Sequence, residues 1–286
     1  MSGFHHINRL EILFSVILRL KDKSIEIMNH ILFEKKETWA VITLDREKKF
    51  NAFVRDMALE LQKRLDQCAA DPEIRAILIT AKGKAFCAGQ DLPEAVDEKN
   101  GIELETILNE HYNPIIKRLR SLEKPIICAI NGVAAGAGAN IALACDIVIA
   151  TKSATFIQAF SKIGLIPDSG GTWMLPRLIG MQKATALMML AEPVTAEKAE
   201  KMGMIYKWVE DGKLMEEATA LTEKLSKMPT RGLGLTKRAL NLSQANSLDQ
   251  QLEHETRLQV EAGTSHDYSE GVSAFLEKRK PEFKGE

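Results

Sequence analysis

Five consecutive small residues, Ala134 to Gly138, lie between an apolar strand-like run at 125–130 and an apolar helix-like segment that ends near Cys145. Side chains this small let a backbone approach another backbone or a ligand closely, and they leave its N–H groups unshielded. The run therefore favours folds in which a strand delivers a tight turn into a closely packed helix. The same stretch continues to Gly171 and contains one acid near its end, Asp168, behind Leu165, Ile166 and Pro167. Taken alone, the small residues also suit plain helix packing. Asp168, standing before Ser169-Gly170-Gly171, suits a helix N-cap as well as a catalytic acid. Gly136-Ala137-Gly138-Ala139-Asn140 is not a dinucleotide fingerprint, because Ile141 occupies the place of the third glycine and no Walker lysine follows.

The flanking sequence predicts the α/β class. Residues 31–36 and 39–44 alternate as a β-hairpin does. The loop 45–51 carries three cations, Arg46, Lys48 and Lys49, and by composition it is a solvated turn. A helix to about Ala70 follows, with Met57, Leu59, Leu61 and Leu65 as its apolar positions. Residues 74–80 and 125–130 are nearly continuous apolar runs, the mark of parallel strands covered on both faces. Further strands are predicted at 146–150, 154–159 and 205–209, with helices over 104–122 and from Asp168 towards Leu175. Repeated strand, glycine-containing loop and helix units imply right-handed crossovers.

From Lys213 the pattern is helical, with breaks at Pro229, near Ser247 and near Gly263. Such a tail either packs back on the sheet or joins a partner subunit. The apolar run 12–18 is too short to span a bilayer and has no small-residue cleavage site behind it, so no membrane role is expected. We expect an extension over 1–27, a core over 28–210 and a helical region over 211–286.

A formal charge of -1 gives no support for nucleic acid as the main partner. Cys68, Cys87, Cys128 and Cys145 are scattered without C-x-x-C spacing and read as reduced core residues of a cytoplasmic protein. Cys87, beside a glycine turn but with no His near it in sequence, reads as packing rather than as a nucleophile. The six His residues form no ligand pattern, and no metal is expected.

Three ordered motifs carry a resemblance: Phe86-Cys87-Ala88-Gly89-Gln90-Asp91-Leu92, the stretch from Asn131-Gly132 to Asp146, and Gly164-Leu165-Ile166-Pro167-Asp168-Ser169-Gly170-Gly171-Thr172. Together they resemble the successive signatures of the crotonase, or enoyl-CoA hydratase/isomerase, superfamily. The similarity extends from about Ile31 to the C-terminus, where the segment 270–279 resembles the family's last helix. It implies a crotonase-like spiral of ββα units with a C-terminal helical trimerisation region, hence a homotrimer or a dimer of trimers. It also implies an acyl-CoA substrate that carries its own coenzyme A, with no separate cofactor.

The resemblance assigns residues by motif position. The main-chain N–H groups of Ala88 and Ala137 would form an oxyanion hole, and Asp168 would move the proton. Asn140 and Phe160 stand where hydratases of the superfamily carry two glutamates, which points away from hydration and towards isomerisation. Lys48 and Lys49, together with Phe275 and Lys278 of a neighbouring subunit's tail, would hold the CoA moiety beside the Ala88, Gln90, Asp91 and Leu92 turn. Tyr112, Asn140 and Phe160 would line the acyl pocket. His111-Tyr112-Asn113-Pro114 and Asp168 to Trp173 resemble members that isomerise ring 1,2-epoxyphenylacetyl-CoA to the oxepin thioester or shift a 3-enoyl double bond to the 2-position. A hydrolase or dehalogenase using Asp168 as nucleophile, an enoyl-CoA hydratase, or a non-catalytic binding protein are the alternatives.

Overall fold

The computed structural model describes residues 30–96 and 101–286. The extension expected over 1–27 lies outside the described residues. The expected hairpin is present as β1 (Ile31–Lys35) and β2 (Trp39–Leu44), antiparallel with Ile31 opposite Leu44. The remaining strands are β3 (Ala76–Ala81), β4 (Ala85–Cys87), β5 (Ile126–Ile130), β6 (Val133–Ala135), β7 (Ile147–Thr151), β8 (Thr155–Ile157), β9 (Val194–Thr195) and β10 (Lys207–Val209). A six-stranded sheet in the order β1-β2-β3-β5-β7-β10 is parallel beyond its first pair, and a smaller sheet runs β4-β6-β8-β9. The chain passes from the large sheet to the small one after β3, after β5 and again after β7, which makes the spiral of ββα turns.

Every residue of β3 and β5 is buried, as their unbroken apolar runs require. Helix Arg55–Ala70 covers one face through Met57, Leu61, Leu65 and Cys68. Helix Leu214–Ser226 covers the other, setting Leu214 and Ala218 on Trp39, Leu78, Ile127 and Ile149. Each fully buried Leu or Met side chain contributes about 1.5–3 kcal/mol relative to exposure. The first helix of the 211–286 region thus belongs to the core. Helix Leu248–Gly263, by contrast, buries none of its residues.

The short strands β4, β6 and β9 have no counterpart in the sequence reading, because two or three residues are too few to display a period. Helices Met181–Leu190 and Ala196–Lys201 were likewise not anticipated. The 104–122 helix contains a widened π-helical stretch, Ile107–Tyr112. Among the described residues no helix is long and apolar enough to cross a membrane.

Candidate active site

Strand β4 runs into the Ala88-Gly89-Gln90 turn, which Phe53 holds from one edge. The Phe53 N–H donates to the Gly89 carbonyl at 2.7 Å, and the Asp91 N–H donates to the Phe53 carbonyl at 2.8 Å. In such a parallel bridge the intervening residue's own N–H faces the opposite edge. The Gln90 N–H accordingly has no acceptor among the described residues. Gly89 adopts φ +95°, and a Cβ built there would lie 3.2 Å from the Ala135 carbonyl oxygen and 3.8 Å from Ala137 N. The turn therefore rests against the start of helix Ala137–Leu143, which only a residue without a side chain permits. The expected donor Ala88 is corrected here: its N–H already donates to the Phe50 carbonyl at 3.0 Å.

Ala137 is the first residue of its helix, where N–H groups lack intrahelical acceptors. Phe160, only 6% exposed, sets its ring 3.7 Å from the position of a Cβ on Gly136, over that helix start. The helix reaches β4 through Gly138, where a Cβ would fall 2.6 Å from Cys87. Cys87 is fully buried, and burial pushes its thiol up to about 12, which removes it as a nucleophile.

Asp168 is not a helix cap. Ser169 and Gly170 take positive φ values of 51° and 72°, and helix Gly171–Ile179 begins from Gly170 without a side-chain cap. The Ser169 hydroxyl donates to Asp168 Oδ1 at 2.8 Å. Burial pushes the Asp168 carboxyl up to about 6, against the smaller, opposite pull of that hydroxyl. Leu165 and Ile166, its apolar neighbours in sequence, are exposed, Ile166 to 80%, so the burial comes from elsewhere in the fold.

Asn140 needs a second correction. Its Nδ2 donates to the main-chain carbonyl of Asp168 at 2.9 Å, and its Oδ1 accepts from Gln158 Nε2 at 2.8 Å. Both ends of the amide are engaged in the protein, so Asn140 braces Asp168 instead of lining a substrate pocket. Tyr112 is equally interior. It is 1% exposed, tilts against Phe53 at a centroid distance of 5.9 Å and donates its hydroxyl to Gln90 Oε1 at 2.7 Å. Burial raises its phenol well above the ordinary value and keeps it a donor. Gln158 and Ser169, which complete these contacts, carry no sequence signal of their own; a buried Gln is recognisable only once its partners are placed.

The expected CoA positions divide. Lys48 and Lys49 are exposed on the turn Glu47–Lys49. The third cation, Arg46, turns inward to pair with Asp91 at 2.5 Å and to reach the Ala52 carbonyl at 3.0 Å. Asp91, 7% exposed, is thus a loop brace and not a ligand contact. Leu92 is 46% exposed at the edge of the turn. Phe275 is exposed on the last helix, His266–Glu277, and Lys278 is exposed at its C-terminal cap; Phe275 lines a groove with Val260, Tyr268 and Leu276. All four cysteines are free and buried, and no group of three metal-ligating side chains occurs among the described residues.

A spiral α/β chain with two main-chain N–H groups left without acceptors among the described residues and one half-buried carboxyl of raised pKa is the class defined by this fold and site. The enoyl-CoA hydratase/isomerase pattern matches residues 34–286, and the chain belongs to that family, with the crotonase fold. It is 47% identical over 260 residues to the 1,2-epoxyphenylacetyl-CoA isomerase of Escherichia coli K12, covering 90% of this chain and 99% of that one. It is 46% identical over 255 residues to the "Probable enoyl-CoA hydratase" of Rhodobacter capsulatus, covering 89% and 98%. The solved enoyl-CoA hydratase from Bacillus anthracis superposes with a TM-score of 0.83 at 32% identity, covering 90% of this chain and 100% of that one.

Proposed function

We propose that this chain is an acyl-CoA isomerase acting through a thioester enolate. One observation carries the reading. Asp168, raised to about 6, is the acid of the site, while an amide and a phenyl ring, Asn140 and Phe160, occupy the two positions where the resemblance places the glutamates of hydratases. A carboxyl poised near 6 serves both as base and, once protonated, as acid near neutral pH.

In a 3-enoyl thioester, Asp168 takes a proton from the carbon beside the carbonyl. The released electron pair places charge on the thioester oxygen, which the Ala137 and Gln90 N–H groups receive. A donor of this kind is typically worth about 3–4 kcal/mol. Asp168 then returns the proton to a different carbon, so the double bond moves and no atom is gained or lost. Adding water would need side chains to activate it and to deliver a proton, which an amide and a phenyl ring do not do.

The name of the 47% identical relative supports a 1,2-epoxyphenylacetyl-CoA substrate, for which the resemblance implies the oxepin thioester as product. Lys48 and Lys49, free to meet phosphates, support CoA binding on that side. Exposed Phe275 and Leu276, at 83% and 74%, support a tail that completes the CoA site of a neighbour in a homotrimer.

Turnover with ring-epoxide, 3-enoyl and 2-enoyl CoA thioesters tests the reading. Isomerised products are expected from the first two. Hydrated product from the 2-enoyl thioester as the main activity would replace this reading with a hydratase, the function named for the 46% identical relative.

A further inference from the structure

The Gln90 side chain is held in a line of contacts that the chemistry above does not use. Its Oε1 accepts from Tyr112 at 2.7 Å, and its Nε2 donates to Glu94 Oε2 at 3.1 Å. Glu94 in turn accepts the Arg55 N–H at 3.0 and 3.2 Å, at the first residue of helix Arg55–Ala70. The line begins in the core at Tyr112, whose ring rests on Phe53, and Phe53 is the residue that grips the Gln90 backbone from the other side. Tyr112 ends the π-helical stretch Ile107–Tyr112. Widened turns of this kind recur where a helix must place one side chain out of the regular register.

We propose that Tyr112 is a positioning residue of the oxyanion hole, fixing the Gln90 N–H by holding the Gln90 side chain. The proposal rests on the enolate reading and adds a residue to it. The Phe53 N–H holds the Gly89–Gln90 peptide by its carbonyl oxygen alone, next to a glycine at φ +95°. The Gln90 side chain, tied at both ends of its amide, holds the same peptide from its other end. Donors preorganised before the charge develops are what makes such a hole effective.

A purely structural role, in which Gln90 merely satisfies a buried phenol, predicts a different outcome from the following test. Tyr112→Phe keeps the ring on Phe53, and Gln90→Ala keeps the main-chain N–H. Both variants and their combination are compared with wild type by kcat and KM for 3-enoyl isomerisation. The same proteins are titrated with a conjugated aryl-enoyl CoA thioester, whose absorption moves to longer wavelength when its carbonyl oxygen is hydrogen-bonded. Thermal melts check folding; Gln90→Ala, at a partly exposed position, covers the case in which Tyr112→Phe does not fold.

Each single variant is expected to lose kcat by about tenfold with KM within about twofold, and to show a smaller wavelength shift. The double variant is expected to be no worse than the poorer single, since both break one contact. A full shift and wild-type kcat in folded single variants overturns the proposal and leaves the hole intact. A wild-type protein that binds the thioester with no shift overturns the hole itself, and the proposal with it.

Discussion

The Asn140 amide is hydrogen-bonded to the main-chain carbonyl of Asp168 at 2.9 Å and is itself held by Gln158 at 2.8 Å. Where the resemblance places a hydratase acid, the chain has a bracket for the one acid it keeps. Asn140→Ala strands a buried carbonyl and the Gln158 amide, which costs about 1–3 kcal/mol. Chemical denaturation is expected to show that loss, together with a fall in kcat larger than the change in KM.

Asp168→Asn is expected to abolish isomerisation and to raise stability at neutral pH. Folding displaces this carboxyl upward, from 3.8 to about 6, so the folded state binds the proton more tightly. Its contribution is favourable below about pH 4, is lost as pH rises towards 6, and above that the buried charge is a burden. The displacement sets an upper bound of about 3 kcal/mol at pH 7, reduced to about 1–2 kcal/mol for a group still partly in contact with water. Melting curves at pH 4 and pH 7 should show the variant gaining on wild type only at the higher pH. Retention of near-wild-type turnover would sink the role of Asp168.

Since the base form must be ionised, kcat/KM is expected to rise with pH through about 6 and then level off. The Ser169 hydroxyl favours the ionised form, so Ser169→Ala should move that rise to higher pH. A rise unmoved by Ser169→Ala and absent near 6 would separate the profile from Asp168.

Thiol reagents are expected to leave the folded protein unlabelled. Cys68 and Cys87 are pushed up to about 12 by burial, and Cys128 and Cys145 are enclosed as well. Labelling should track global unfolding in denaturant; fast modification of Cys87 in buffer would reopen its dismissal as a nucleophile.

Long elements declared themselves in the chain because burial on both faces leaves unbroken apolar runs, as in β3 and β5. The acid was legible too, although its environment was not: Leu165 and Ile166 neighbour Asp168 in sequence and are exposed. Donor assignment failed for a geometric reason. Ala88 and Gln90 differ in which edge of the turn their N–H groups face, and that depends on Phe53, thirty-odd residues upstream. Asn140, Gln158 and Arg46 could not be told from solvent-facing polar residues until the fold paired them.

The parallel order β4-β6-β8 sets the Gln90 turn, the Ala137 helix start and Phe160 at the ends of adjacent strands. The first two offer main-chain groups, which residue-by-residue replacement with alanine leaves chemically unchanged. An alanine scan of this protein would therefore register Asp168, its supports and the Gln90 side chain that positions the turn, but would delete neither of the N–H groups that receive the negative charge. Exchanging single peptide bonds for esters, which deletes one N–H at a time, is the kind of surgery able to expose it. The same separation means that heredity can rewrite which reaction follows through a few side chains, while the grip on the thioester passes through unaltered.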